Sequence, residues 1–182
     1  MNILPRQTGL TLVELLVTMA VLVVLAAFGI PSFQSHLKDN RRITEINGLV
    51  SAMNLARSEA TKGNGMVALC ASANGAVCAG SNYDAGWIVF VNSDGDVPPA
   101  VDSGEMVLRS HDGVTGPGAS LRAFGGIGSG VNFLASGRPN VFGDITYCDD
   151  RGAKHARSVV LGLVGVIKAS GVHADGSALS CP

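Results

Sequence analysis

The sequence predicts an α+β fold, in which one long N-terminal helix is followed by an antiparallel β domain. Two observations lead to this prediction. Residues 15–35 carry no charged side chain and continue into a segment whose apolar residues recur at helical spacing. After Gly65 the pattern changes to short apolar runs between turn-forming residues, and glycine is abundant, at 24 of 182 residues. This composition favours short strands joined by tight turns.

The first half of the predicted helix is long enough to cross a membrane, since residues 15–35 would extend over roughly 30 Å. A cleaved secretory signal fits poorly, because Arg6 is the only basic side chain before the run and a cut near Ala26 or Ala27 would be badly formed. An ordinary anchor fits the length but leaves Glu14 unexplained. A carboxylate at the edge of an apolar helix is costly, so it indicates a specialised function.

The second half of the predicted helix is amphipathic. Its apolar face consists of Ile43, Ile46, Val50, Met53, Ala56 and Ala60. Gly63 and Gly65 are expected to end the helix, which then runs from about Thr11 to Lys62, with a bend at Pro31. Three arginines of this half are expected on a solvated face, with lipid headgroups as the alternative contact of the first two: Arg41, Arg42 and Arg57.

The remainder of the chain contains six candidate strands: "MVALCAS", "GWIVFVN", "EMVLRS", "VNFLAS", "VFGDITYC" and "SVVLGLVGVIKAS". Turn-rich stretches separate them, and there is no internal repeat. The glycine-rich residues 125–130 are expected to form a flexible loop between strands. Together these segments predict a mainly antiparallel domain laid against the helix.

Four cysteines, none in a CxxC pair, favour disulfides over a zinc or thioredoxin-like site. An even number behind a membrane segment suggests an oxidising compartment. Of the three possible pairings we favour Cys70–Cys78, which closes a loop around an Asn-Gly turn, and Cys148–Cys181, which ties down the end of the chain. Buried free thiols are the alternative.

The stretch "TGLTLVELLV" resembles the class III signal of type IV pilins and type II secretion pseudopilins. Gly9, Leu10, Thr11, Leu12 and Glu14 match the family pattern in order, with Leu10 in place of the usual Phe. The resemblance implies that a prepilin peptidase cuts between Gly9 and Leu10 and that the new Leu10 amine is methylated. Glu14 would then be an assembly residue that pairs with this amine, within one subunit or between neighbours, which relieves the cost of both charges.

A second resemblance covers nearly the whole chain. The run from Leu55 to Ala60, "LARSEA", and the Gly86-Trp87 pair are similar to the FimT/GspH group of minor type IV pilins and H pseudopilins. It implies a pilin-like fold with a leader (1–9), a transmembrane segment (10–31), an amphipathic helix (32–62) and a periplasmic β-rich domain (66–182). The expected protein is a structural subunit held in the bacterial inner membrane, with prepilin peptidase, other minor pilins or pseudopilins, and membrane lipid as partners.

Evidence for a catalytic or metal site is weak. The four histidines are scattered, and neither a GxSxG motif nor a P-loop is present, so we expect no catalysis and no cofactor. Asn92, Asp94 and Asp96 resemble the start of a calcium loop, but Ser103 stands where an EF-hand has Glu, and a tight Asp-Gly turn is favoured.

DNA binding is the alternative function. Some FimT-like pilins bind DNA through a C-terminal Gly-Arg-x-Arg stretch, which here reads Gly165, Val166, Ile167, Lys168 and so lacks the first Arg. A net charge of −1 supplies no global attraction for DNA. The weak DNA-contact candidates are Arg151, Lys154, Arg157 and Lys168, and a solvated loop is the favoured interpretation of the first three.

Overall fold

We analysed a computed structural model of the chain, which describes residue 9 and residues 11–181. One helix is followed by eight strands. Their bounds are α1 Leu12–Gly63, β1 Met66–Ala71, β2 Gly86–Asn92, β3 Val107–Asp112, β4 Ser120–Gly125, β5 Val131–Phe133, β6 Gly143–Cys148, β7 Arg157–Leu161 and β8 Ile167–Ser170. Three short 3-10 turns lie at Tyr83–Ala85, Gly126–Ser129 and Ala153–His155. The α+β class predicted from the sequence is confirmed.

The chain forms two compact units, residues 1–40 and residues 41–182. In the first unit the helix is apolar on every side, and its large side chains are exposed. By length and composition it can cross a membrane. The boundary between the units falls inside the segment 32–62 that was expected to pack on the β domain.

The second unit contains two four-stranded antiparallel sheets. Sheet 1 has the strand order β3-β2-β1-β5, and sheet 2 has the order β4-β6-β7-β8. Residues 41–63 of the helix contribute one face to a core that also contains side chains from both sheets. This helical face consists of Ile46, Leu49, Ala52, Met53, Ala56 and Ala60. Its three alanines allow the strands to approach the helix closely.

The end of the helix depends on an asparagine. Asn64 adopts a left-handed conformation with φ of 48°, and the amide of Gly65 donates to the carbonyl of Ala60 over 3.2 Å. Asparagine is second only to glycine at this position of a helix end. Termination near residue 63 was therefore predicted correctly, but the residue that takes the special conformation is Asn64, between the two expected glycines.

Four sequence predictions were wrong in detail. Strand β4 was missed, because its apolar Leu121 and Phe124 flank an arginine and do not form a recognisable run. Residues 125–130 are not a free loop: Ile127 is buried, and its carbonyl accepts a hydrogen bond from the Tyr83 hydroxyl at 3.1 Å. The segment "SVVLGLVGVIKAS" folds into the hairpin β7–β8. Ile43 is 51% exposed, and the buried helical face contains Leu49 instead.

Candidate functional site

Glu14 closes a capping box at the start of the helix. The Glu14 amide donates to Thr11 Oγ1 at 3.2 Å, while the Thr11 amide and hydroxyl both donate to Glu14 Oε2 at 3.4 Å. A Thr followed three residues later by Glu forms such a box at a helix start, because each side chain accepts a hydrogen bond from the other residue's backbone amide. The sequence contained this Thr-x-x-Glu signal, and the sequence interpretation did not use it. Gly9 is exposed, and Leu10, the predicted N-methylated residue, lies outside the described residues.

Two arginines of the helix bind the β domain and do not form the expected solvated face. Arg42 donates to the carbonyl of His155 and Arg57 to the carbonyl of Gly165, each over 2.8 Å and partly buried. Gly165 has a φ of +80° in the β7–β8 turn, so the backbone there requires glycine. Arg57 of the distinctive "LARSEA" run therefore has a structural role, which is to hold this hairpin. Arg41 is exposed, as predicted.

Both disulfides are present in the favoured pairing. Cys70 is bonded to Cys78 and Cys148 to Cys181, with Cα–Cα distances of 5.6 and 5.8 Å. Within the first loop, Asn74 Oδ1 accepts hydrogen bonds from the amides of Ala76 (3.0 Å) and Val77 (3.1 Å). The second bond joins the end of β6 to the C-terminal tail, residues 171–181.

The acidic turn differs from the calcium loop considered from the sequence. Asn92 is buried and donates to Asn132 Oδ1 at 2.9 Å, so it faces the interior. The carboxylates that lie together are those of Asp94, Asp96 and Asp102, within 4.8 Å of one another. Partial desolvation, followed by repulsion from Asp94 and Asp96, raises the pKa of Asp102. Asp96 also accepts the Ala100 amide at 3.0 Å, which is a turn-forming role.

The four DNA-contact candidates do not form one patch. Arg151 is paired with the buried Asp149 at 2.8 Å. Lys154 and Arg157 are exposed, and Arg157 donates to the Ala156 carbonyl. Lys168 on β8 is directly opposite Val160 on β7, and Arg157 lies three residues before Val160 on the same strand. Since successive strand residues face opposite sides, Lys168 and Arg157 lie on opposite faces of sheet 2.

One polar cluster lies between the helix and sheet 1, and no motif in the sequence predicts it. The His111 ring stacks on Trp87 with centroids 4.9 Å apart, and its Nε2 is 3.8 Å from Glu45 Oε2. Burial raises the pKa of Glu45, and attraction to His111 opposes the rise. Within the described part of the chain, Glu45 Oε2 and Trp87 Nε1 are buried without a hydrogen-bond partner. Glu45 and His111 are 66 residues apart, so no local pattern could reveal the pair.

A second cluster lies under the C-terminal tail. Asp144 on β6 is 1% exposed, and its Oδ2 lies 2.9 Å from His173 Nδ1. It also accepts hydrogen bonds from the Thr146 hydroxyl and the Ala174 amide, each at 2.9 Å. The Phe124 ring packs on His173, with centroids 4.2 Å apart. Phe124, Asp144, His173 and Ala174 border a cavity of about 330 Å³.

Comparisons with known proteins agree with this architecture. Residues 45–165 match the family described as type II transport protein GspH, and residues 4–30 match the prokaryotic N-terminal methylation motif. No curated protein matches the chain.

Two crystal structures of the type IV minor pilin FimU from Pseudomonas aeruginosa (strain PAO1) have a similar fold. The P21 form gives a TM-score of 0.56 at 18% identity, covering 80% of this chain and 98% of FimU. The P65 form gives 0.52 at 19% identity, covering 75% and 97%. At this identity the likeness establishes the pilin-like fold alone. Because the GspH family model matches more than half of the chain, behind an N-methylation motif, the protein belongs to the GspH family of pilin-like proteins.

Proposed function

We propose that this protein is a minor pilin or pseudopilin, a structural subunit in the tip or initiating complex of a type IV pilus or a type II secretion pseudopilus. The observation that carries the proposal is the order of the two family matches, with a methylation motif over 4–30 preceding a GspH domain over 45–165. The helix between residues 12 and 40, with its exposed apolar side chains, supports anchoring in the inner membrane. Two disulfides in the second unit support a periplasmic location for it.

Processing follows from this function. A prepilin peptidase would cleave between Gly9 and Leu10, and the Leu10 amine would be methylated. Co-expression with such a peptidase should give a product whose N-terminal sequence begins at Leu10 and whose mass includes one methyl group. A product that begins near Phe28 would instead indicate a secretory signal and exclude the pilin role.

Glu14 is proposed to act in assembly through its charge, in addition to its place in the capping box. In an apolar helical bundle a carboxylate and the Leu10 ammonium can neutralise each other and fix the axial register of two helices. The capping role needs only hydrogen-bond acceptors, which an amide side chain also supplies. The two roles can therefore be separated by substitution.

The experiment compares Glu14→Gln with Glu14→Ala in a strain that lacks the native gene. Glu14→Gln keeps the capping hydrogen bonds and removes the charge, whereas Glu14→Ala removes both. We expect both variants to be inserted and cleaved, and both to fail in filament assembly or secretion. If Glu14→Gln restores assembly to the wild-type level, the charge-neutralisation role is wrong, and the helix cap alone explains Glu14.

The alternative function, a DNA-binding minor pilin, has narrower support: the exposed Lys154 and Arg157 lie close together in sequence beside one turn. If DNA binds there, replacing both with Ala should reduce the slope of log K against log salt by about 2, because two phosphate contacts are lost. Lys62→Ala, which removes an exposed cation on the helix, is the control and should change nothing. Absence of salt-dependent binding by the wild-type chain would exclude this function.

A further inference from the structure

Basic side chains are concentrated in one part of the second unit, around the residues with which helix α1 enters it. Residues 41–42 and 149–157 contain five basic and two acidic side chains, whereas the whole chain has a net charge of −1. Three of these cations are exposed, namely Arg41, Lys154 and Arg157. A local excess of one sign of charge on a nearly neutral protein attracts a partner of the opposite sign.

The helix holds the turn that carries Lys154. Arg42 donates to the carbonyl of His155 over 2.8 Å, and His155 ends the 3-10 turn that begins at Ala153. Lys154 is the middle residue of this turn and is exposed. The exposed ammonium is therefore carried by a turn that is fixed to the first residues of the helix in this unit.

Arg157 lies on the same side of sheet 2 as the helix. It is directly opposite Tyr147, and the side chain of Tyr147 is part of the core that the helix covers. Since residues opposite each other on neighbouring strands share a face, Arg157 also lies on the helix side. It is the first residue of β7, two residues after His155, so its guanidinium lies near the end of the turn.

Arg41 is joined to the same region through a loop. It packs on Gly116, where an added Cβ would lie 3.0 Å from Arg41 Nη1. The next carbonyl in this loop, that of Pro117, accepts the amide of Asp150 at 3.2 Å. The loop thereby connects Arg41 to residues 149–152, which lead into the turn with Lys154.

The two carboxylates of this region do not balance its cations. Asp149 is buried and paired with Arg151 at 2.8 Å, so these two charges offset each other. Asp150 is the other carboxylate and is exposed. The exposed charge is therefore positive overall, which suits an anionic group such as phosphate.

The chain itself indicates where such phosphate is found. Six residues separate Ser35, the last residue of the uncharged run, from Arg42. Even a fully extended chain of this length spans only about 25 Å. If the uncharged run crosses a membrane, the headgroup layer always lies within reach of this tether, so its effective concentration is high, whereas DNA must arrive from solution.

We propose that Arg41, Lys154 and Arg157 bind the phosphate groups of anionic lipids in the membrane that anchors the chain. Each Lys or Arg near an anionic membrane surface strengthens binding about 5-fold. These contacts hold the β domain against the headgroup layer. The inference rests on the membrane anchoring of the proposed function, whereas the positive charge of this surface does not.

The test compares the reactivity of lysine amines of the full chain in two kinds of nanodisc. One kind contains phosphatidylcholine, and the other contains equal amounts of phosphatidylcholine and phosphatidylglycerol. Acetylation is followed by peptide mass spectrometry at low ionic strength. We expect Lys154 to react about 3- to 10-fold more slowly in the anionic nanodiscs, because lipid phosphate protects its amine. Lys168, on the opposite face of sheet 2, should react equally in both, and high salt should remove the protection of Lys154.

Two pairs of substitutions separate binding by this surface from mere proximity to a charged membrane. Arg41→Ala with Arg157→Ala should abolish the protection of Lys154 while leaving that amine in place. Lys62→Ala with Arg138→Ala removes two exposed cations from other parts of the unit and should leave the protection unchanged. Unchanged reactivity of Lys168 shows that sheet 2 remains folded in both variants. Equal effects of the two pairs would contradict the assignment of this surface.

The remaining outcomes identify which statement fails. Equal reactivity of Lys154 in the two nanodiscs overturns the proposal. Protection by added double-stranded DNA, without protection by phosphatidylglycerol, assigns the surface to DNA instead. Inorganic phosphate that protects Lys154 as strongly as phosphatidylglycerol would show an ion site that needs no membrane. Failure of the chain to enter nanodiscs contradicts the anchoring and the proposed function, whereas entry without protection contradicts this inference alone.

Discussion

Helix α1 contains two apolar regions that differ in how their side chains are buried. Between residues 12 and 40 the large apolar residues are exposed around the whole helix, as at Leu22 and Phe28. Between residues 41 and 63 a single stripe is buried, with Leu49 and Met53 fully inaccessible. A soluble helix buries one stripe, whereas a helix that is apolar all round needs a membrane or other helices around it. The same helix therefore exposes apolar side chains all round between residues 12 and 40 and buries a single stripe between residues 41 and 63.

The largest expected effect comes from matched leucine substitutions in the two regions. Leu49→Ala should destabilise the second unit by about 2–5 kcal/mol, because it removes buried methylene groups and leaves a cavity. Leu22→Ala removes the same atoms from an exposed site and should leave the unfolding of the β domain unchanged. Urea unfolding of the full chain in nanodiscs, followed through Trp87 fluorescence, measures both. Similar losses would show that the two regions share one cooperative unit.

Removal of the second disulfide tests what holds the tail to the domain. Cys148 and Cys181 are 33 residues apart, so their bond should contribute about 3–4 kcal/mol by loop-closure entropy. Cys70 and Cys78 are only 8 residues apart, and the same model gives about 2–3 kcal/mol.

Paired Ser substitutions, Cys148→Ser with Cys181→Ser, should expose residues 171–181 to proteolysis while the helix and sheets remain folded. The pair Cys70→Ser with Cys78→Ser is the matched control and should leave the tail protected. Non-reducing peptide mapping verifies the pairing itself. A Cys70–Cys148 linkage would contradict both expectations.

A smaller effect is expected from the pH dependence of the helix contact with sheet 1. Burial raises the pKa of Glu45, so this group favours the folded state below its unfolded pKa of about 4.5 and loses that contribution as pH rises through its folded pKa. His111 opposes the shift, and Arg109 is stacked over the same Trp87 ring. Glu45→Gln should therefore become progressively more stable than the wild type as pH rises above 4.5.

Gln keeps polar atoms at this position and removes only the charge, so the advantage of Glu45→Gln over the wild type should be smallest at pH 4.5 and largest at pH 8. Unfolding curves at pH 4.5, 6 and 8 measure it. The control is Glu59→Gln, whose partner Lys62 is exposed, and it should not change the pH profile. A difference between Glu45→Gln and wild type that is constant with pH would contradict the role of burial.

Sequence patterns predicted the elements that depend on residues close together along the chain. The long helix, the Cys70–Cys78 disulfide and strands such as β1 and β2 all produce local patterns of spacing and turns. Strand β4 did not, because Arg122 interrupts its apolar residues and pairs with Asp84 of a distant turn at 2.7 Å. The Asp144–His173 pair was equally hidden, since its members are 29 residues apart and meet only after the tail folds back. Single histidines in a sequence carry no information about such partners.

The two oxygens of the Glu14 carboxylate have different surroundings in the capping box. Both hydrogen bonds from Thr11 reach Glu14 Oε2, and Oε1 has no partner among the described residues. In the proposed assembly role, one oxygen would hold its own helix start while the other would bind the ammonium of an adjacent helix. The length of the side chain at position 14 then decides whether both contacts can form. A shorter Glu14→Asp side chain keeps the charge but not the reach to both groups, so conserving charge alone would not conserve the proposed bridge.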